Sequence, residues 1–327
     1  MKASKKAIIM QNPLVSGSIQ YLKNNTGIIV GFFLICTILS IANPNFLTGA
    51  NMLNILKQIS TNALLAFGMT FIILIGGIDL SVGSILAFAG IATTSLIANW
   101  GVPVVFAVLI GIALSALLGL FNGFLAAKTS IPPFIITLSM YSMARGGAYL
   151  LCNGQPIRVF DDSFNIIGNG FLGPVAFPVI YTVIIFIILM VVLKFTRFGR
   201  YVYAVGGNAE AALYSGIRIQ KIKMIVFCLS GVLAGISGIV LSARMYTGQP
   251  SVGQGSELDA IAAVVLGGTS FSGGIGSLGG TILGALMIGV INNGLNLLNV
   301  SSFLQLVAKG AVILLAVYLD TIKKRDR

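Results

Sequence analysis

Apolar segments of about twenty residues recur along this chain from end to end, with only short polar stretches between them. That is the length an α-helix needs to cross a bilayer core. Ten such segments can be placed, at 28–42, 60–76, 80–98, 103–126, 131–151, 176–194, 223–243, 257–269, 278–297 and 303–320. Composition agrees with them. The 327 residues are 57% hydrophobic and 9% charged, against about 25% charged in soluble domains. The expected fold class is an all-α polytopic membrane protein with about ten transmembrane helices.

Charge orients these segments, because short loops rich in Lys and Arg stay on the cytoplasmic side. Fifteen basic residues fall in 1–27, at Lys128, in 194–223 and after residue 320. Three (Lys57, Arg158 and Arg244) fall on the opposite side. Both termini are therefore expected in the cytoplasm, as an arm over 1–27 and a tail over 321–327, with a transmembrane domain over 28–320. The first apolar run ends at Asn43-Pro44-Asn45 without a small-x-small cleavage pattern, so it reads as an uncleaved span and not a signal peptide. Residues 44–59, with Lys57, read as an outer interfacial stretch. The weakest span is 257–269, short and carrying Glu257 and Asp259 at its outer end; a half-helix or re-entrant segment is the other reading.

The same analysis excludes several chemistries. The net charge of +12 is concentrated at predicted membrane edges, where it serves orientation and attraction to anionic lipid. No basic patch is interleaved with stacking aromatics, so nucleic acid is not an expected partner. There is no His, which removes the commonest general base and metal ligand. Cys36, Cys152 and Cys228 lie far apart and read as small buried hydrophobes, with neither a disulfide framework nor a metal site implied. The paired acids Asp161-Asp162 sit in a Gly/Asn/Pro-rich outer loop, 152–175, and read as solvated or as a docking surface for an external partner. No GxxxxGK[ST] phosphate loop occurs, so no nucleotide is expected to bind here.

Two glycine-rich breaks interrupt the apolar pattern. Gly76 to Ser84 reads GGIDLSVGS; Asp79, with Ser81 as a second candidate, is placed to cap the following helix. Gly267 to Thr281 reads GGTSFSGGIGSLGGT and contains Thr269 and Ser270. Irregular backbone at membrane depth is tolerated only where protein buries it or where it lines a wet path. Both breaks are therefore candidates for a pathway or its gate, and tight inter-helix turns are the competing reading. Both face the cytoplasm in this topology, so no inverted repeat is inferred. Asn122, Asn292, Asn293 and Asn296 are further pathway candidates, since uncharged amides suit a polyhydroxylated solute. They equally suit hydrogen bonds between helices, at about 1 kcal/mol each. Arg145 and Lys309 fall inside spans, where an ionisable residue is a functional candidate by default, and Lys309 lies near enough the span's end that it could snorkel outward.

The polar loop from Lys194 to Lys223 carries six basic residues and one acid, Glu210. Gly206-Gly207 breaks the chain and Asn208 is a good N-cap. Glu210 falls in the first turn, Ala211 and Ala212 favour helix, and Gly216 stands at a C-terminal stop. Two turns are unstable alone in water, so this helix must dock on something. The competing reading is an amphipathic loop lying on lipid headgroups.

GNAEAALYSGI (Gly207 to Ile217) resembles the coupling loop of ATP-binding-cassette importer permeases. GGIDLSVGS, GRYVYAVGGN (Gly199 to Asn208), SELDAIAAVVLGGTSFSGG (Ser256 to Gly274) and NNGLNLLNVSS (Asn292 to Ser302) resemble their ribose-type branch, and the likeness runs from about Asn43 to Asp320. The resemblance implies a permease subunit of a monosaccharide importer in the bacterial cytoplasmic membrane, two copies enclosing the path. It implies that Asn208, Glu210, Ala211, Ala212 and Gly216 form a short cytoplasmic coupling helix seated on an ATPase subunit. ATP and Mg would be bound by that partner, with no cofactor in this chain. A periplasmic or extracellular binding protein would deliver the sugar. Two other classes find less support in the residues. An ion-coupled secondary transporter lacks the intramembrane carboxylates it needs, and an intramembrane enzyme lacks a catalytic constellation.

Overall fold

The computed structural model describes residues 26–301, 303–311 and 314. Of the arm predicted over 1–27, residues 1–25 lie outside these residues, as do the tail over 321–327 and the rest of the last predicted span; Thr26 and Gly27 instead begin the first helix. The helices are α1 (Thr26–Ala42), α2 (Gly49–Leu74), α3 (Val82–Ala98), α4 (Val104–Lys128), α5 (Pro133–Leu151), α6 (Asp162–Asn169), α7 (Phe177–Phe195) and α8 (Arg197–Gly207). They continue with α9 (Ala209–Tyr214), α10 (Ile219–Met245), α11 (Ser256–Leu266) and α12 (Leu278–Leu297). Residues 303–311 are helical. Five of these helices (α2, α4, α7, α10 and α12) are long and apolar enough to cross a membrane. The chain is thus an all-α polytopic membrane protein.

Three expectations change. The stretch 44–59 is not merely interfacial: α2 begins at Gly49, where Thr48 Oγ1 caps it by accepting from Asn51 N. The helix extends because Asn51, Ile55 and Ile59 bury themselves on the bundle side. The outer loop 152–175 is not simply solvated. Asp161 caps α6 by accepting from Ser163 N at 2.8 Å, and Phe164 of that helix is fully buried. Two short antiparallel pairs complete the region: β1 (Ile157–Arg158) with β4 (Thr247–Gly248), and β2 (Phe171–Leu172) with β3 (Val175–Ala176). Of the cysteines only Cys152 is buried; Cys36 and Cys228 are half-buried.

The centre of the bundle is α2 with α10. From Ala63 to Leu74 every residue of α2 is buried, as expected of a helix that is apolar all round. α10 packs along α4, α3 and α2, and α6 covers its far end. Its contact with α4 depends on residues without bulk. Gly111, Ser115, Gly119 and Gly123 recur every four residues on α4; the last three meet Phe227, Gly231 and Gly235 of α10, while Gly111 lies against Thr93 of α3 and Ile239 of α10. A Cβ on Gly119 would strike the Phe227 carbonyl oxygen, and one on Gly231 would strike that of Ser115. Between helices in lipid, such close backbone approach supplies much of the association energy. By contrast, α4 and α7 turn Leu109, Phe121, Ile184 and Ile188 outward, which suits hydrocarbon.

α11 is the exception in length. Its 11 residues reach about 16 Å at 1.5 Å per residue, half of a bilayer core of about 30 Å. It fits the half-helix reading.

Gly119→Ala or Gly231→Ala should overpack the α4–α10 seam at a cost of about 1–3 kcal/mol. Gly146→Ala, where a Cβ meets nothing within 4 Å, should leave stability unchanged. Thermal unfolding of the purified chain in detergent checks the contrast.

Candidate functional site

The two sequence breaks and the 194–223 loop meet at one edge of the bundle. Thr196 starts α8 by accepting from Gly199 N at 3.2 Å, and α8 ends at Gly206-Gly207. Gly274 of the second break donates to the Leu74 carbonyl at the end of α2, at 2.9 Å. Gly206 lies against that same hydrogen bond. A Cβ there would collide with Leu74 O and come within 2.6 Å of Gly274 N. Gly273 and Gly274 turn through φ of +82° and +71°, a region that glycine enters without strain. Tyr203 Oη donates to Gly276 O at 2.8 Å, and Phe198 stacks on Phe71 with centroids 6.3 Å apart. One residue beyond this joint the chain enters α9.

α9 is closed at both ends. Asn208 Oδ1 accepts from Ala211 N at 2.9 Å. Gly216, at φ +80°, donates to Leu213 O at 2.9 Å and Ile217 N to Ala212 O at 3.0 Å, the paired bonds of a Schellman stop. Ala212 is buried, whereas Asn208, Glu210, Ala211 and Gly216 are exposed. Leu213 and Tyr214 are exposed too, Tyr214 at 89%. The helix therefore presents apolar side chains and an unpaired acid without a partner among the described residues.

Behind the joint lies the first break. Asp79, Ser81 and Asn122 come together here, all fully buried. Asp79 Oδ1 accepts from Ser81 N at 2.9 Å and from the Ser81 hydroxyl at 2.5 Å. Its Oδ2 accepts from Ser230 Oγ of α10 at 3.2 Å. Asn122 Nδ2 of α4 donates to Ser81 Oγ at 3.0 Å. Asp79 therefore does not cap α3 as the sequence suggests. Ser81 holds the cap position and its side chain makes no cap bond; the carboxylate instead ties the break to α10, and through Ser81 to α4. Thr137 Oγ1 adds α5, donating to Ile78 O and accepting from Leu80 N, both at 3.2 Å.

The remaining predicted residues form separate groups. Thr269 and Ser270 are buried in the second break, where Ser270 N donates to Ile275 O at 2.9 Å. Asn293 exchanges hydrogen bonds with Asn51 at 2.9 and 3.0 Å. Asn292 Nδ2 donates to Asp259 Oδ2 at 3.1 Å. Asn296 is exposed and accepts from Gln305 Nε2 at 2.9 Å. Of the eight pathway candidates, Asn296 alone is exposed in a single copy of the chain. The amides mostly tie helix to helix.

Sequence reasoning missed two charged contacts. Lys309 does not snorkel outward: its Nζ pairs with Asp259 Oδ2 at 2.9 Å. The second contact is a clamp. Arg145 Nη1 donates to Pro250 O at 2.6 Å and Val252 O at 2.7 Å, and Nη2 to Gly83 O at 3.3 Å. It thereby holds the irregular segment 249–255 against the start of α3. A charge inside a span was the available signal, but its partners are non-local and sequence does not name them. Removing one partner of the Lys309–Asp259 pair should cost about 3–5 kcal/mol, whereas replacing both with apolar residues should cost far less. Unfolding of Lys309→Met, Asp259→Leu and the double variant in detergent tests this.

The family described as "Branched-chain amino acid transport system / permease component" matches residues 51–317. The ribose import permease protein RbsC of Bacillus subtilis is 48% identical over 296 residues, covering 90% of this chain and 92% of that protein. RbsC of Escherichia coli K12 is 45% identical over 300 residues, covering 90% and 93%. The xylose transport system permease protein XylH of Haemophilus influenzae is 34% identical, covering 91% and 94%. No solved structure matches. By a family match over most of its length and by these relatives, the chain belongs to the transport-system permease component family, on its ribose-type branch.

Proposed function

We propose that this chain is the membrane-spanning subunit of an ATP-driven, binding-protein-dependent importer of a monosaccharide, D-ribose, in the bacterial cytoplasmic membrane. The observation that carries the mechanism is α9: a capped, exposed two-turn helix lying one residue from a joint that touches both breaks. In this reading the chain has about ten membrane segments with both termini in the cytoplasm, and α9 is the coupling helix. An ATPase subunit covers Leu213, Tyr214 and Glu210. ATP and Mg belong to that partner. Its closure pushes α9, and the push passes through Gly206-Gly207 into both breaks at once.

Two copies enclose the path between them, and a binding protein docks at the opposite edge, around 152–175. Movement of the breaks rearranges the polar set Asp79, Ser81, Asn122, Thr269 and Ser270, which is the gate. Asn292, Asn293 and Asn296 on α12 belong to the wall of the path. Ribose is favoured as solute because the relatives sharing 48% and 45% of their residues with this chain carry that sugar in their names.

The direct test is ATP hydrolysis in lipid nanodiscs holding this chain and the candidate ATPase, with binding protein added empty or loaded from a panel of sugars. Hydrolysis that depends on the chain and rises most with ribose is the expected result. A rate indifferent to the chain would end the reading. Glu210 has no partner among the described residues, and Gly216 needs a φ that proline cannot adopt. Glu210→Lys and Gly216→Pro should therefore lower uptake about tenfold or more, ~1.4 kcal/mol of coupling, while the chain stays membrane-inserted. Uptake assays beside membrane fractionation measure both.

A further inference from the structure

A second surface at the edge carrying 194–223 has unbalanced charge. A cleft of about 930 Å³ lies between the end of α4 and the start of α10. Leu120, Met224 and Ile225 form its apolar floor, and Lys128, Arg218 and Lys221 stand among its lining residues. All three cations are exposed. None of them has a hydrogen bond or ion pair among the described residues, and no carboxylate lines the cleft. The neighbouring Lys223 is already engaged, donating to Ala126 O at 3.4 Å.

The helix ends sharpen the imbalance. α10 is 27 residues long, has no acid in its first turn and no side-chain cap. Its positive end is instead surrounded by cations, the sign the helix dipole disfavours. An anion placed among Lys128, Arg218 and Lys221 would offset both charges. The floor specifies more than an anion. It continues along α4 through the exposed residues Leu117, Phe121 and Phe124, spaced to run along one helix face into the hydrocarbon.

From this we infer that the cleft is a binding site for an anionic phospholipid: the headgroup phosphate meets the three cations and an acyl chain follows the α4 face. A free phosphate would leave the apolar floor unused. The site borders Leu213 and Gly216 of the α9 turn, so a bound lipid steadies the base of that helix.

The test incubates the purified full-length chain in neutral detergent with equal amounts of phosphatidylglycerol and phosphatidylcholine, then counts retained lipid by native mass spectrometry. Clustered cations at a membrane surface should give a preference for phosphatidylglycerol of about tenfold or more. The triple variant Lys128→Gln, Arg218→Gln and Lys221→Gln should lose most of it. A control, Lys194→Gln, Arg197→Gln and Arg200→Gln, removes equal charge outside the cleft and should keep it. Size-exclusion profiles verify that both variants fold. The inference is overturned if both triples lose the preference equally, or if the cleft triple retains it. It is also overturned if millimolar inorganic phosphate displaces the lipid, or if the cleft triple binds lipid normally yet no longer associates with an ATPase subunit.

Discussion

A helix that breaks inside a bilayer leaves backbone carbonyls and amides that water cannot reach, and each must find a partner within the protein. Here the end of α2 solves this with one bond, from Gly274 N to Leu74 O. That bond ties the second break to the end of α2, Gly273 beside it lies against Gly76 of the first break, and Gly206 of α8 rests on the bond where no Cβ fits. Three distant stretches of chain are thereby fixed to one another by bare backbone. The buried set around Asp79 follows a few residues along the chain from Gly76.

The rest of the bundle makes that joint mechanically meaningful. The seam between α4 and α10 is built on small residues and leaves little room for sliding. Asp79 reaches Ser230 on α10, and Ser81 receives Asn122 from α4, so the first break is tied into that seam. Arg145 ties the segment 249–255 to the start of α3. What stays open to a partner is α9, with its exposed Leu213, Tyr214 and Glu210. In the proposed importer, this is where chemical work enters.

Much of the fold was legible because the bilayer imposes length and polarity on every crossing segment. Helices stand where the apolar runs predicted them, and the ends of α9 follow from Asn208 and Gly216 alone. What was not legible depends on pairing across distance. Lys309 looked like a snorkelling side chain because Asp259 is fifty residues away in sequence. Asn292 and Asn293 looked like path-lining amides, and the structure gives them Asp259 and Asn51. The residues 49–59 looked interfacial because their burial depends on α12, which sequence does not place beside them. The four-residue spacing of Gly111, Ser115, Gly119 and Gly123 was present in the sequence, and its partner face on α10 was not.

The central claim is that α9 and both breaks move as one body. Spin labels at the exposed positions Tyr214 and Ile275, 89% and 58% accessible, report on it in a chain whose three cysteines are replaced. A third label at Trp100, exposed at 72% on the far edge, gives the reference. Pulsed electron–electron resonance would compare the assembled transporter without nucleotide and with ATP. The account predicts one unchanged Tyr214–Ile275 distance and a shifted Trp100–Ile275 distance. A Tyr214–Ile275 distance that changes while Trp100–Ile275 stays fixed would contradict it, because α9 would then move without the breaks.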